Sequence, residues 1–296
     1  MNNSSNDTPA IDWTRDGDLE SYVARALDDK QIPNCLWSDG ALSIYGCPSS
    51  QEMVANHRQK SSAWMVPDRV IHRVPQALAG TSFVSCTEGE DCHVLDKERV
   101  HPFPDVHVHV HREGQPGYAV EFYKQSRLFW GLPPPPLGVP RSGDPFYMLV
   151  TDERLSEPAV LSRGRQPAGN HPVKILVPTH YTIGMALLAL RDLEESMNRD
   201  HWLGVMKQLW FMIIDDENPI LDSNSLTGVY HNIMYAFGDW LLSRQPDRVQ
   251  RGHEYIYRVH HEWKAAGRLP PPDRGAFFWG PGGDVIPLAG DHFVLQ

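Results

Sequence analysis

SDGALSIYG (Ser38–Gly46) is followed, after a polar stretch, by SSAWMVPD (Ser61–Asp68). In the first segment Gly40 and Gly46 bracket a short helical turn, and Pro48 ends it. In the second, Ser62–Val66 is an uninterrupted apolar run of strand length that stops at Pro67. Asp68 can then cap a helix running through Val70 to Ala79. A helical turn, a buried strand and a further helix within forty-odd residues predict a chain that mixes α and β from the start.

Upstream, Leu19, Tyr22, Val23, Ala26 and Leu27 fall on one face of a helix over Leu19–Lys30, which Asp18 can cap. Downstream, Phe83–Cys86, Pro104–His111 (PDVHVHVH) and Tyr118–Tyr123 read as strands. The second of these alternates valine and histidine, the pattern of a strand with one apolar face. Leu132–Pro172 is rich in proline and glycine, and Phe146–Asp152 is its one strand; the rest is a stiff connector. A short apolar run, 173–177, closes it. From Thr179 the period turns helical, with caps at Thr179 and Asp200 and two further helices over Leu226–Ser243 and Pro246–Ala266. The resulting division is a disordered N-terminus (1–17), an α+β core with its connector (18–178), a helical region (179–268) and a packed Gly/Pro/aromatic tail (269–296).

The net charge of −10 argues against a general grip on nucleic acid or acidic membrane. No apolar stretch approaches the ~20 residues of a membrane span, and the start MNNSSNDTPA has no secretory pattern. Four cysteines without a CxxC pair read as reduced thiols, so the expected compartment is the cytoplasm. Dinucleotide, P-loop and GxSxG signatures are absent. HEYIYRVHHEW (His253–Trp263) has no HExxH, and IIDDENPILD (Ile213–Asp222) lacks the central glycine of an EF-hand.

SDGALSIYG and SSAWMVPD together resemble the opening of the nucleotidyltransferase-like fold, in a divergent branch found in filamentous fungi. VEFYKQSRLFWGLPPPP (Val120–Pro136) and VKILVPTHYTIGMALLALRD (Val173–Asp192) resemble the same group. The resemblance implies an α+β fold: a degenerate nucleotidyltransferase-like mixed sheet core followed by a C-terminal helical bundle. It also implies two metal-holding carboxylates on the short strand. Those positions here are Ser61 and Ala63, neither a ligand for Mg²⁺. Asp105 is then the one carboxylate of the set that remains.

The histidine face raises the question of a metal. Residues i and i+2 of a strand sit about 7 Å apart at Cα, so two imidazoles can reach one zinc; the outer pair, about 13 Å apart, cannot. A third ligand, Asp105 or His101 for instance, is not picked out by the sequence, and no metal or cofactor is expected. His107, His109 and Tyr123 are instead expected to be hydrogen-bond donors to an organic substrate. Trp64, Trp130, Ser61, Asp105 and His111 are expected to line the cleft. The function this predicts is a cofactor-independent cyclase, isomerase or Diels–Alder-type pericyclase of fungal specialised metabolism, terpenoid or polyketide. Its partner is a small hydrophobic substrate with an oxygen function. The alternatives are a metal-dependent nucleotidyltransferase and a non-catalytic binding protein.

Overall fold

Helix α1 (Asp16–Asp29) packs Leu19, Val23, Ala24 and Leu27 into the core; Tyr22 and Ala26 of the expected stripe are half-buried against it, and Ala24 is not part of that stripe. The computed structural model describes residues 16–47, 61–88, 92–95, 101–112, 115–159, 162–194, 196–214, 221, 225–272, 277–279 and 285–287. Of the expected disordered N-terminus (1–17), Asp16 and Gly17 open α1 and the rest lies outside these residues, as do 215–220 of the Ile213–Asp222 segment and most of the expected tail.

After α1 comes β1 (Cys35–Trp37), three buried residues that run directly into α2 (Ser38–Tyr45). A strand this short shows no alternation, which is why the sequence did not reveal it. Gly46, at φ 100°, ends α2, and the N–H groups of Gly46 and Cys47 donate to Ser43 O and Leu42 O. This is a Schellman closure, which needs a left-handed residue at that position. Next are β2 (Ser61–Val66), a 3₁₀ turn over Asp68–Arg73 and α3 (Val74–Leu78). The single helix expected over 70–79 is split, because Pro75 has no N–H to continue the ladder and is tolerated only in a new first turn.

Strands β3 (Phe83–Ser85), β4 (Val106–Arg112) and β5 (Gln115–Lys124) complete a five-stranded mixed sheet of order β1-β2-β5-β4-β3. β2 and β5 are parallel, and the other pairs are antiparallel. Register assigns every side chain to a face. Leu36, Trp64, Val120, Phe122 and Val108 share one face, an apolar one. Trp37, Ala63, Glu121 and His107 stand across from one another on the other face, joined there by Ser61, Ala119, His109 and Tyr123.

The short helix α4 (Gln125–Leu128) leads to the connector, whose strand β6 (Tyr147–Leu149) pairs antiparallel with β7 (Lys174–Leu176). The buried Lys174 ammonium reaches back to Asp28 on α1 at 3.0 Å. Helices α5 (Pro178–Arg191), α6 (Ser196–Ile214), α7 (Gly228–Leu242) and α8 (Pro246–Ala265) follow. The expected caps differ. Pro178 opens α5, so Thr179 lies inside it, and α6 begins before Asp200. A small ladder of β8 (Phe277–Trp279) and β9 (Val285–Pro287) lies beyond the helices in sequence. One continuous cluster of buried side chains extends from Leu19 to Leu269, across sheet and helices. The chain is thus an α+β protein, and no described helix is long and apolar enough to cross a membrane.

Helices α7 and α8 touch at Gly252. A Cβ there would meet Ala236 O at 2.5 Å and Trp240 N at 2.6 Å, both backbone atoms. Gly252→Ala is therefore expected to lower stability by about 1–3 kcal/mol through overpacking. Urea denaturation measures this, and an unchanged midpoint would show that the two helices part without cost.

Candidate functional site

The polar face of the sheet carries a hydrogen-bonded chain of four side chains. Ser38 Oγ lies 3.0 Å from His101 Nε2. His101 Nδ1 lies 3.0 Å from the Tyr123 hydroxyl. That hydroxyl lies 2.6 Å from Glu121 Oε2 and 2.8 Å from Pro102 O. A phenol has one proton to give, and the short contact to the carboxylate places it there. Tyr123 then accepts from His101 Nδ1–H, which leaves Nε2 as the lone-pair nitrogen facing Ser38. The order of donation is Ser38 to His101, His101 to Tyr123, and Tyr123 to Glu121. Glu121 stands 3.8 Å from His101 Nδ1, so the tyrosine bridges them.

Local sequence sets up each member. Ser38 sits between strand and helix at φ +60°, a left-handed conformation that costs a non-glycine residue about 1–3 kcal/mol. The tight passage from β1 into α2 holds it there, next to the first-turn N–H groups of α2, which have no intrahelical acceptor. Glu121 and Tyr123 are two apart on β5 and so share a face. All four residues are buried, Ser38 and His101 to 3% and 5% exposure. Trp37 meets Tyr123 edge-on at 5.0 Å and packs against His101 at 5.5 Å. His201 of α6 packs on His101 at 4.6 Å and is itself half-buried.

The expected site residues divide. Tyr123 is in the network. Ser61 and Ala63 lie on the same face, Ala63 directly beside Glu121. The Ser61 hydroxyl is buried with no hydrogen-bond partner among the described residues. His107 and His109 share the face, but the Nε2 of each points at Cys92 Sγ, at 3.4 and 3.5 Å, and not at an open cleft. Trp64 cannot line a cleft with Tyr123. It pairs with Phe122, one residue out of phase, and its indole N–H donates to Ser62 Oγ in the opposite layer. Asp105 is held by Arg127 at 2.6 Å and Lys124 at 3.6 Å. The carboxylate beside Ala63 on β2 is Glu121, because β5 and not β4 is the neighbour of β2. Trp130 lies under the Arg191 guanidinium at 5.5 Å. His111 is on β4, and its side chain is outside what is described.

Ser38 and Glu121 are not singled out by the sequence reading, and His101 enters it only as a possible zinc ligand. Two signals point to the first two. Ser-Asp-Gly opens a helix directly after an apolar triplet. In YAVEFY an acid falls on the face opposite Tyr118, Val120 and Phe122, where a strand buried on both sides needs a partner for it.

No family model matches this chain, and no curated protein matches it. Among solved structures it is similar to one described as an antigenic nucleotidyltransferase-like protein from Paracoccidioides brasiliensis. The identity is 11%, over 86% of this chain and 93% of that one, at a TM-score of 0.38.

Proposed function

We propose that the chain is an enzyme that activates the Ser38 hydroxyl through His101, Tyr123 and Glu121, acting on a small, largely apolar ester or related acyl substrate. The observation that carries this reading is the geometry: a serine at a strand–helix junction lies 3.0 Å from His101 Nε2, while His101 Nδ1 is tied through Tyr123 to the buried Glu121, and the donation order assigned above makes Nε2 the base. Ser38 Oγ attacks the acyl carbon as its proton passes to His101 Nε2. The imidazolium returns that proton to the leaving alcohol, and water releases the acyl group by the same route. The reading takes first-turn N–H groups of α2 as the donors to the oxyanion. Displacement of the His201 ring opens the way in.

The cyclase or isomerase reading of the sequence has less support: His107 and His109 face Cys92, and the one Tyr123 proton is given to Glu121. Nucleotidyl transfer is the weaker reading, because Ser61 and Ala63 offer no carboxylate and Glu121 already accepts from Tyr123.

A fluorophosphonate probe tests the proposal. The expected result is a single adduct on the peptide carrying Ser38, absent in Ser38→Ala and in His101→Ala. Labelling elsewhere, or none, overturns it.

A further inference from the structure

The face that holds the network carries a second cluster at its β3–β4 end. Cys86 follows Ser85, which pairs with Val108, so the antiparallel register carries Cys86 toward His107. Cys92 comes back over the sheet at the start of a short 3₁₀ turn and packs on Ala119, with Val94 beside it. His107 and His109 rise from β4 beneath them. One ligand atom from each of Cys86, Cys92, His107 and His109 lies within 4.8 Å of all the others.

Two thiols and two imidazoles form the donor set of a structural zinc. The geometry also agrees. With Zn–S near 2.3 Å and Zn–N near 2.0–2.1 Å, a tetrahedral site separates sulfur from nitrogen by about 3.6 Å. The Cys92 Sγ distances to the two Nε2 atoms are 3.4 and 3.5 Å. Both contacts use Nε2. Cys92 is buried, and the other three are half-buried, so the set is partly shielded from water. The Glu88 carboxylate lies within 4.8 Å of a His109 ring nitrogen, within reach of an outer-shell contact.

The geometry points to a Cys₂His₂ zinc site formed by Cys86, Cys92, His107 and His109. Four protein ligands close the coordination shell, so the ion is a staple and not a catalyst. It fastens the segment around Cys92 to β4, where His107 stands across from Glu121. The inference does not depend on the serine chemistry, since none of the four ligands belongs to that network.

The test is metal content and spectroscopy on the full chain. Protein made in zinc-supplemented medium is expected to hold one zinc per chain by mass spectrometry. Cobalt exchange is expected to give the thiolate charge-transfer band and the visible bands of a tetrahedral ion. Cys92→Ser and His109→Ala should each reduce the stoichiometry from one toward zero, while Cys47→Ser, remote from the cluster, should keep it. Because a ligand variant can fail to fold, the unmodified chain is also stripped with chelator and refilled, and restored stoichiometry with a raised melting temperature is the expected outcome. Substoichiometric zinc with no thiolate band after cobalt addition overturns the site. So does a Cys86–Cys92 disulfide in freshly isolated protein.

Discussion

Glu121→Gln is expected to slow labelling and turnover at Ser38 by about 10³–10⁴-fold, the scale seen when an orienting carboxylate is replaced by its amide. The reason is proton order. Glu121 is acceptor-only when ionised, and its 2.6 Å contact fixes the Tyr123 proton on the glutamate side. An amide can donate. Its NH₂ would point at the phenol oxygen, and the phenol would then give its proton to His101 Nδ1. The imidazole would be left with its hydrogen on Nε2, facing Ser38 with a donor where a base is needed. Tyr123→Phe separates orientation from charge: it removes the bridge, yet leaves a carboxylate 3.8 Å from Nδ1. A smaller loss than for Glu121→Gln is expected. Probe-labelling rates for the two variants, with melting curves to show that both fold, decide the matter. Equal rates for Glu121→Gln and the unmodified chain would sink the assigned proton order.

What could be read in the sequence follows from how far each signal reaches. The Val/His alternation at 106–111 and the helical stripe from Leu19 are local and dense, and both elements stand where the pattern puts them. So do the helices after Pro178, which are long enough for periodicity to outweigh single residues. Strand β1 has three residues and no period to detect. The site failed for a different reason: its members come from β1–α2, from the segment before β4 and from β5, separated by dozens of residues. Only the parallel β2–β5 pairing brings Glu121 beside Ala63. One step of register also separates Trp64 from the face it was expected to share with Tyr123, since a strand reverses its side chains at each residue. The histidines were legible as a pair able to reach one ion. Their thiol partners were not, because Cys86 and Cys92 converge on them through the β3–β4 ladder and not through a spacing motif.

Asp192→Ala is expected to remove about 3–5 kcal/mol of stability, the cost of leaving a buried charge without its partner. Asp192 is fully buried and grips Arg191 with both oxygens, at 2.8 and 2.7 Å. Its second oxygen also accepts from the Trp202 indole at 2.7 Å. Arg191 is as deeply enclosed, lies over Trp130 and donates to Arg127 O at 2.6 Å. Truncation strands a guanidinium and an indole N–H together, in a chain whose total stability is of order 5–15 kcal/mol. The double variant Arg191→Met/Asp192→Leu, which removes both charges and keeps much of the volume, should cost less than Asp192→Ala alone. The effect reaches the serine network by packing. Trp202 lies against His201 at 4.7 Å and Trp37 at 6.2 Å, and both of those rings pack on His101. Loss of the anchor is therefore expected to loosen His201 and raise the accessibility of Ser38 to the fluorophosphonate in whatever fraction stays folded. Chemical denaturation measures the first effect and labelling under native conditions the second. A loss below about 1 kcal/mol would mean that water reaches Arg191 and that the pair is exposed rather than enclosed.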